Sequence, residues 1–190
     1  MFNMQKNLVK TDKSIGSVQN ITLIAVIAAV YATITFVIQP FAFGPVQLRA
    51  SEGLNHLAAW HKRYIIALGL GVFIANLVSP LGWIDWIFGT MGTVIMTSIT
   101  YLATRRVKHA VTKIVISSVV VATIGMAILA AEFTLAFNIG ASGAFPSGSN
   151  GGLFAQWLAY YLSVMPGEVV SLIAGGIVIY ALSKMVDLSK

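Results

Sequence analysis

Three side chains of complementary chemistry fall within six positions in the stretch FAFGPVQLRASEGLNHLAAW (41–60): the amide of Gln47, the guanidinium of Arg49 and the carboxylate of Glu52. An amide offers donors and an acceptor, a guanidinium a planar fork of donors, and a carboxylate only acceptors. Such a set either locks a loop through an internal ion pair or presents a mixed hydrogen-bonding edge to a polar ligand, and residue types alone leave both open. Asp85, Glu132 and Glu168 also stand in or at the ends of apolar stretches. An ionisable group in an apolar span is expensive and by default faces a cavity or a partner. The plainer alternatives are helix N-terminal capping for Glu52 and Asp85, where the helix dipole favours negative charge, and an ion pair with Arg49 for Glu132. Trp157 and Tyr161 stand four apart on one helix face, two turns before Glu168. Stacked rings plus a carboxylate suit a flat aromatic ligand that carries donor groups. His56 follows Glu52 by four residues, an α-helical same-face spacing, but two ligands are too few for a metal site. No cofactor is expected. No GxxxxGK[ST] phosphate loop occurs, which excludes ATP hydrolysis by that route, and no Ser/His/Asp set has a catalytic context; a binding protein, not an enzyme, is the expectation, with catalysis by the acids the alternative.

The elements that must position these groups follow from composition. The 190 residues are 57% hydrophobic and 9% charged, with no cysteine and a mean hydropathy of +0.85. Soluble domains carry about 25% charged residues, so this chain reads as an all-α integral membrane protein. Six segments are expected: 21–39, ended by Pro40; a short helix over 51–61; 64–78; 84–106; 114–137; and 153–183, with a kink or half-helix end at Pro166-Gly167. The 51–61 piece spans about 16 Å as an α-helix, too short to cross alone. Residues 1–20 and 185–190 read as tails flanking one membrane domain, 21–184, and residues 1–20 lack the apolar core of a cleavable signal.

Charge orients the segments. Eleven of the twelve Lys and Arg residues fall on one side of a six-segment arrangement, in the tails and near 62–63 and 105–113. That is a positive-inside pattern with both termini cytoplasmic. Arg49 is the exception, which marks it for a role other than topology. The net charge of +6 is accounted for by these flanks and does not point to nucleic acid. Glu52, Asp85, Glu132 and Glu168 then converge on the outer half. In the first segment Ala25/Ala29 and Ala28/Ala32 form two small-xxx-small pairs, a smooth stripe that lets another helix approach. It serves internal packing or the docking of another membrane subunit.

Three stretches, FGPVQLRASEGLN (43–55), NLVSPLGWIDWIFGTMGT (76–93) and MPGEVVSLIAGG (165–176), together with the striped first helix, resemble the QueT family. These are substrate-binding S components of energy-coupling factor (ECF) transporters. The likeness covers almost all of the chain after residue 20, although the Gly/Ser-rich loop 140–152 is longer than the family pattern. It implies a multi-pass protein of the cell membrane that takes up a queuosine precursor, a 7-deazaguanine base such as pre-queuosine or queuine. The implied partners are a transmembrane coupling subunit (EcfT-like) and two cytoplasmic ATPase subunits, with Ala25, Ala28, Ala29 and Ala32 on the docking face. The implied binding set is Gln47, Arg49, Glu52, Asn76, Asp85, Glu132, Trp157, Tyr161 and Glu168. In it Glu52 or Glu132 takes the N–H edge of the base, Gln47 its carbonyl, and Arg49 steadies a carboxylate. An S component for another small vitamin and a small intramembrane enzyme are the competing readings.

Overall fold

A computed structural model describes residues 15–43, 48–138 and 152–189. Gln47, residues 139–151 of the Gly/Ser-rich loop and most of the N-terminal tail lie outside the described residues. All regular structure described is helical: α1 (Val18–Val37), a single turn α2 (Gln39–Ala42), a 3-10 helix (Ala50–Ala59), α3 (Arg63–Asn76), α4 (Thr90–Thr104), α5 (Ala110–Val120), α6 (Met126–Asn138) and α7 (Gly152–Met185). A π-helical turn, Asp85–Gly89, leads into α4, and another, Val121–Gly125, joins α5 to α6. α1 starts where Ser17 Oγ accepts the N–H of Asn20 at 3.4 Å. It stops before Pro40, which instead opens α2 because its fixed φ suits a first turn and its missing N–H does not suit an interior one. Pro166 lies inside α7, which continues through it as one helix of 34 residues.

Four helical stretches are long and apolar enough to cross a membrane: Val18–Val37, Asp85–Thr104, Ala110–Asn138 and Gly152–Met185. Of the six expected segments, four reach that length among the described residues. The second and third expected segments are ten residues of 3-10 helix and the 14 residues of α3, both short of the roughly 20 that a crossing α-helix needs. The chain is nonetheless built for lipid. Val26, Val30, Leu70, Phe73, Ile173 and Ile177 point outward, while Arg49, Glu52, Asn55, His56, Asn76, Asp85, Glu132 and Glu168 are buried. Apolar outside and polar inside suits a solvent that cannot hydrogen-bond.

The 3-10 helix is the axis of the bundle. An α-helix is the sequence expectation there, and the difference has a steric cause. The stretch is wedged against α7 backbone to backbone: a Cβ on Gly53 would lie 2.6 Å from Gly175 Cα and 2.8 Å from Ser171 O. The narrower 3-10 winding also rises about 2.0 Å per residue, so ten residues reach about 20 Å. Its far end is closed by Lys113 Nζ and Thr104 Oγ1, which donate to Ala59 O at 2.6 and 3.1 Å. Close by in sequence, Arg63 donates to Asn20 Oδ1 at 2.9 Å and to Leu188 O at 3.2 Å, joining the starts of α1 and α3 to the end of the chain. Arg63 and Lys113 are thus buried connectors as well as flanking charges.

α1 packs closely on α3. A Cβ on Gly71 would meet Tyr31 Cβ at 2.8 Å and Ala28 O at 3.2 Å. The alanine stripe divides accordingly: Ala28 and Ala32 are buried inside the chain, while Ala25 and Ala29 remain exposed.

Candidate functional site

The loop that leaves α2 delivers Arg49 to the start of the 3-10 helix, where it is 5% exposed. Its Nη2 donates to Asn76 Oδ1 of α3 at 3.0 Å and stands 3.8 Å from Asp85 Oδ2. Its Nη1 is 3.7 Å from Glu52 Oε1, and the guanidinium lies over the Phe43 ring, 4.9 Å from its centroid. Burial alone would lower its basicity. Asp85 above all, with Glu52 and Glu132 adding to it, outweighs that and raises the pKa above the ordinary arginine value, so the group is a fixed cation. Asn76 completes the clamp by donating from Nδ2 to Asp85 O at 2.8 Å and Asp85 Oδ1 at 3.1 Å. Asp85 begins the first π-helical turn without capping it. Gly89, one turn on, leaves the room this requires: a Cβ there would lie 2.6 Å from Asn76 Nδ2 and 2.8 Å from Asp85 Oδ1.

Glu52 is tied into α1. Its Oε1 accepts from Tyr31 Oη at 2.5 Å and its Oε2 accepts from Asn55 Nδ2. One position earlier, Ser51 and Thr35 share a hydroxyl hydrogen bond of 2.7 Å. The 3-10 geometry corrects the α-helical same-face placement expected of Glu52 and His56. At three residues per turn the same-face neighbour is i+3, which is Asn55. His56 faces α7, with Nε2 3.0 Å from Leu172 O. Among the described residues no set of three His, Cys, Asp or Glu side chains is placed to hold a metal ion.

Two acids lack these attachments. Glu132 of α6 lies near Asp85, but neither of its oxygens makes a hydrogen bond of ordinary geometry. Glu168 of α7 is 3% exposed and its Oε1 has no hydrogen-bond partner. Arg49, Glu52, Met126, Leu129, Val164 and Glu168 line a cavity of about 10 Å³, roughly the room one water molecule needs.

The structure therefore brings Arg49, Glu52, Asn76, Asp85, Glu132 and Glu168 into one cluster. Trp157 and Tyr161 stack on each other, 5.4 Å between centroids, but do not line the cavity. Their polar tips bind backbone carbonyls, Trp157 Nε1 to Ala127 O at 3.0 Å and Tyr161 Oη to Ala122 O at 2.9 Å, fastening α7 to the α5–α6 junction. Sequence reasoning missed Tyr31 and Asn55, which hold Glu52, and the apolar walls Met126, Leu129 and Val164. The i+3 spacing of Asn55 from Glu52 was a usable signal for a shared helix face; a tyrosine inside an apolar run gave none.

A bundle with an apolar exterior and a buried cluster of four acids around one guanidinium defines a multi-pass membrane protein with an internal polar site. Sequence comparison gives the family. Residues 21–184 match the QueT transporter family, and the chain belongs to it. The queuosine precursor transporter QueT of Lactococcus lactis subsp. cremoris (strain MG1363) is 37% identical over 92 residues, covering 47% of this chain and 54% of that one. The match thus spans about half the length of that relative. No solved structure matches significantly.

Proposed function

We propose that this chain is the substrate-binding S component of an ECF-type importer in the cell membrane, and that it takes up a queuosine precursor, a 7-deazaguanine base. The observation that carries this is the buried acid cluster around Arg49 in a chain of the QueT family. The guanine-like edge of such a base presents adjacent N–H donors, which suit a carboxylate, and a carbonyl, which suits an amide or guanidinium. The comparisons add a relative whose name assigns it this class of solute.

In this reading the 3-10 helix and α3 complete six segments, with both termini in the cytoplasm. The meeting of Asn20, Arg63 and Leu188 supports placing α1's start and the chain's end on one side. Arg49, Asn76 and Asp85 form a preset wall of the site. Because the cavity is about 10 Å³, entry of a bicyclic base requires the walls to part, and the flexible side chain of Met126 is suited to give way. Ala25 and Ala29 face a transmembrane coupling subunit, and two cytoplasmic ATPase subunits supply the energy. The chain itself binds and releases its solute unchanged.

The test is calorimetric titration of the detergent-purified chain with 7-deazaguanine bases. Binding at one to one, weakened in Asp85→Asn, is the expected result. No heat and no thermal stabilisation with any such base would overturn the proposal.

A further inference from the structure

We propose that α6 and residues 152–165 of α7 form one rigid arm that swings on two joints, the π-helical turn Val121–Gly125 and Pro166, and that this swing opens and closes the cavity. The device belongs to the fold and holds whichever solute the site takes. The arm is fastened to itself. Asn138 Nδ2 donates to Gln156 Oε1 at 2.7 Å and Trp157 Nε1 donates to Ala127 O at 3.0 Å. Between them the Tyr160 ring meets Phe133 edge-on at 6.0 Å and Phe137 at 5.5 Å between centroids. The rest of α7 is fastened elsewhere. Gly175 stands backbone to backbone with Gly53, His56 Nε2 lies 3.0 Å from Leu172 O, and Ile179 shares a core with Tyr31, Leu57, Leu68 and Val72. One continuous helix thus serves two bodies, and Pro166 stands where the first gives way to the second.

Both joints are irregular points of the helical ladder. Pro166 has no N–H to give to Leu162 O, and its ring crowds that turn. Helices bend at prolines and at π-helical turns. The joints also lie side by side, because Met126, directly after the first, and Val164 and Glu168, on either side of the second, line the same cavity. Met126, Leu129 and Val164 belong to the arm, whereas Arg49 and Glu52 stay with the 3-10 helix. A cavity of about 10 Å³ admits an organic solute only when these two walls part. The arm reaches about 21 Å from Pro166 to Gly152. A hinge swing of about 10–15° therefore moves its far end by about 4–5 Å.

The chain has no cysteine, so pairs of exposed residues can be exchanged for cysteine and spin-labelled without background. Phe73→Cys with Phe154→Cys spans the joint. Leu135→Cys with Leu162→Cys lies within the arm, and Ile66→Cys with Ile177→Cys lies within the fixed body. Distance distributions are measured by dipolar spectroscopy on the solute-free chain in nanodiscs. The spanning pair is expected to be broader than both controls by about 4–5 Å. Pro166→Ala, at an exposed position, restores the N–H and is expected to narrow the spanning pair towards the controls. It is also expected to slow association of a 7-deazaguanine base by about fivefold, the equivalent of one regained hydrogen bond. A spanning pair as narrow as the controls, three pairs broadened alike, or a broad spanning pair that Pro166→Ala leaves unchanged would each overturn the proposal. Absence of binding by any such base overturns the function proposed above, while the solute-free distances still decide the joint.

Discussion

Gly175→Ala tests whether the 3-10 helix sits against α7 as described. An alanine Cβ at 175 would stand 2.2 Å from Gly53 Cα and 2.7 Å from both its carbonyl carbon and oxygen. Carbon atoms rest about 3.5–4.0 Å apart, so the two elements must separate by about 1.3 Å or more. All three opposing atoms are backbone, and no side chain can swing aside to absorb the insertion. Overpacking of this kind costs about 1–3 kcal/mol. With each kcal/mol worth about 2–4 °C in a chain of this size, the apparent melting temperature should fall by about 2–12 °C. Glu52 adjoins Gly53, so separation also moves a cavity-lining acid, and ligand affinity should drop with stability. The neighbouring Gly176→Ala is the control. Its Cβ would meet a side-chain methyl, Ile114 Cγ2, at 3.1 Å and His56 Nε2 at 3.5 Å, contacts that small adjustments relieve. Thermal denaturation of parent and both variants in one detergent, followed by size-exclusion of the surviving monomer, ranks them. A Gly175→Ala protein that melts with the parent, or no lower than Gly176→Ala, would refute the backbone contact.

Tyr31→Phe removes the hydroxyl that donates to Glu52 Oε1 at 2.5 Å and leaves a buried acceptor short of a donor. It should cost about 1–3 kcal/mol of stability, and an unchanged melting curve would show that the contact holds nothing in place. Ala29→Trp places a large ring on an exposed position of α1. Uptake in cells should be abolished while ligand binding by the purified chain stays within about threefold of the parent, a shift under 1 kcal/mol; parallel loss of both would mean that the exposed alanines do not serve a partner.

The long spans were legible because lipid imposes length and apolar composition on each segment separately. The expected 153–183 became Gly152–Met185, and 114–137 lies within Ala110–Asn138. The clustering of Arg49, Glu52, Asp85, Glu132 and Glu168 followed from the cost of leaving such groups anywhere but inside. What could not be read are features set by contacts between segments. SEGLNHLAA carries no local preference for 3-10 winding; the form is imposed where Gly53 meets the Gly175 backbone. The engaged or open state of each acid depends on Tyr31 and Asn76, 21 and 9 residues from their acids. Trp157 and Tyr161 read as a ligand platform because their spacing shows only a shared face. It cannot show that their polar tips reach Ala127 O and Ala122 O.

The π-helical turn Val121–Gly125 acts as a phase setting for everything after it. A π-helical turn holds more residues than an α-helical one, and an α-helix advances about 100° per residue. Remove one residue there with α5 fixed, and each later side chain inherits its predecessor's bearing. Glu132 would then point where Ala131 now does, on an exposed flank, and an acid of the internal cluster would face hydrocarbon. The length of this turn, one residue more or less, is thus as decisive for the polar interior as the identity of the acid seven positions beyond it. Among related chains, a single-residue gap at this turn should be accompanied by relocation of that acid by one position.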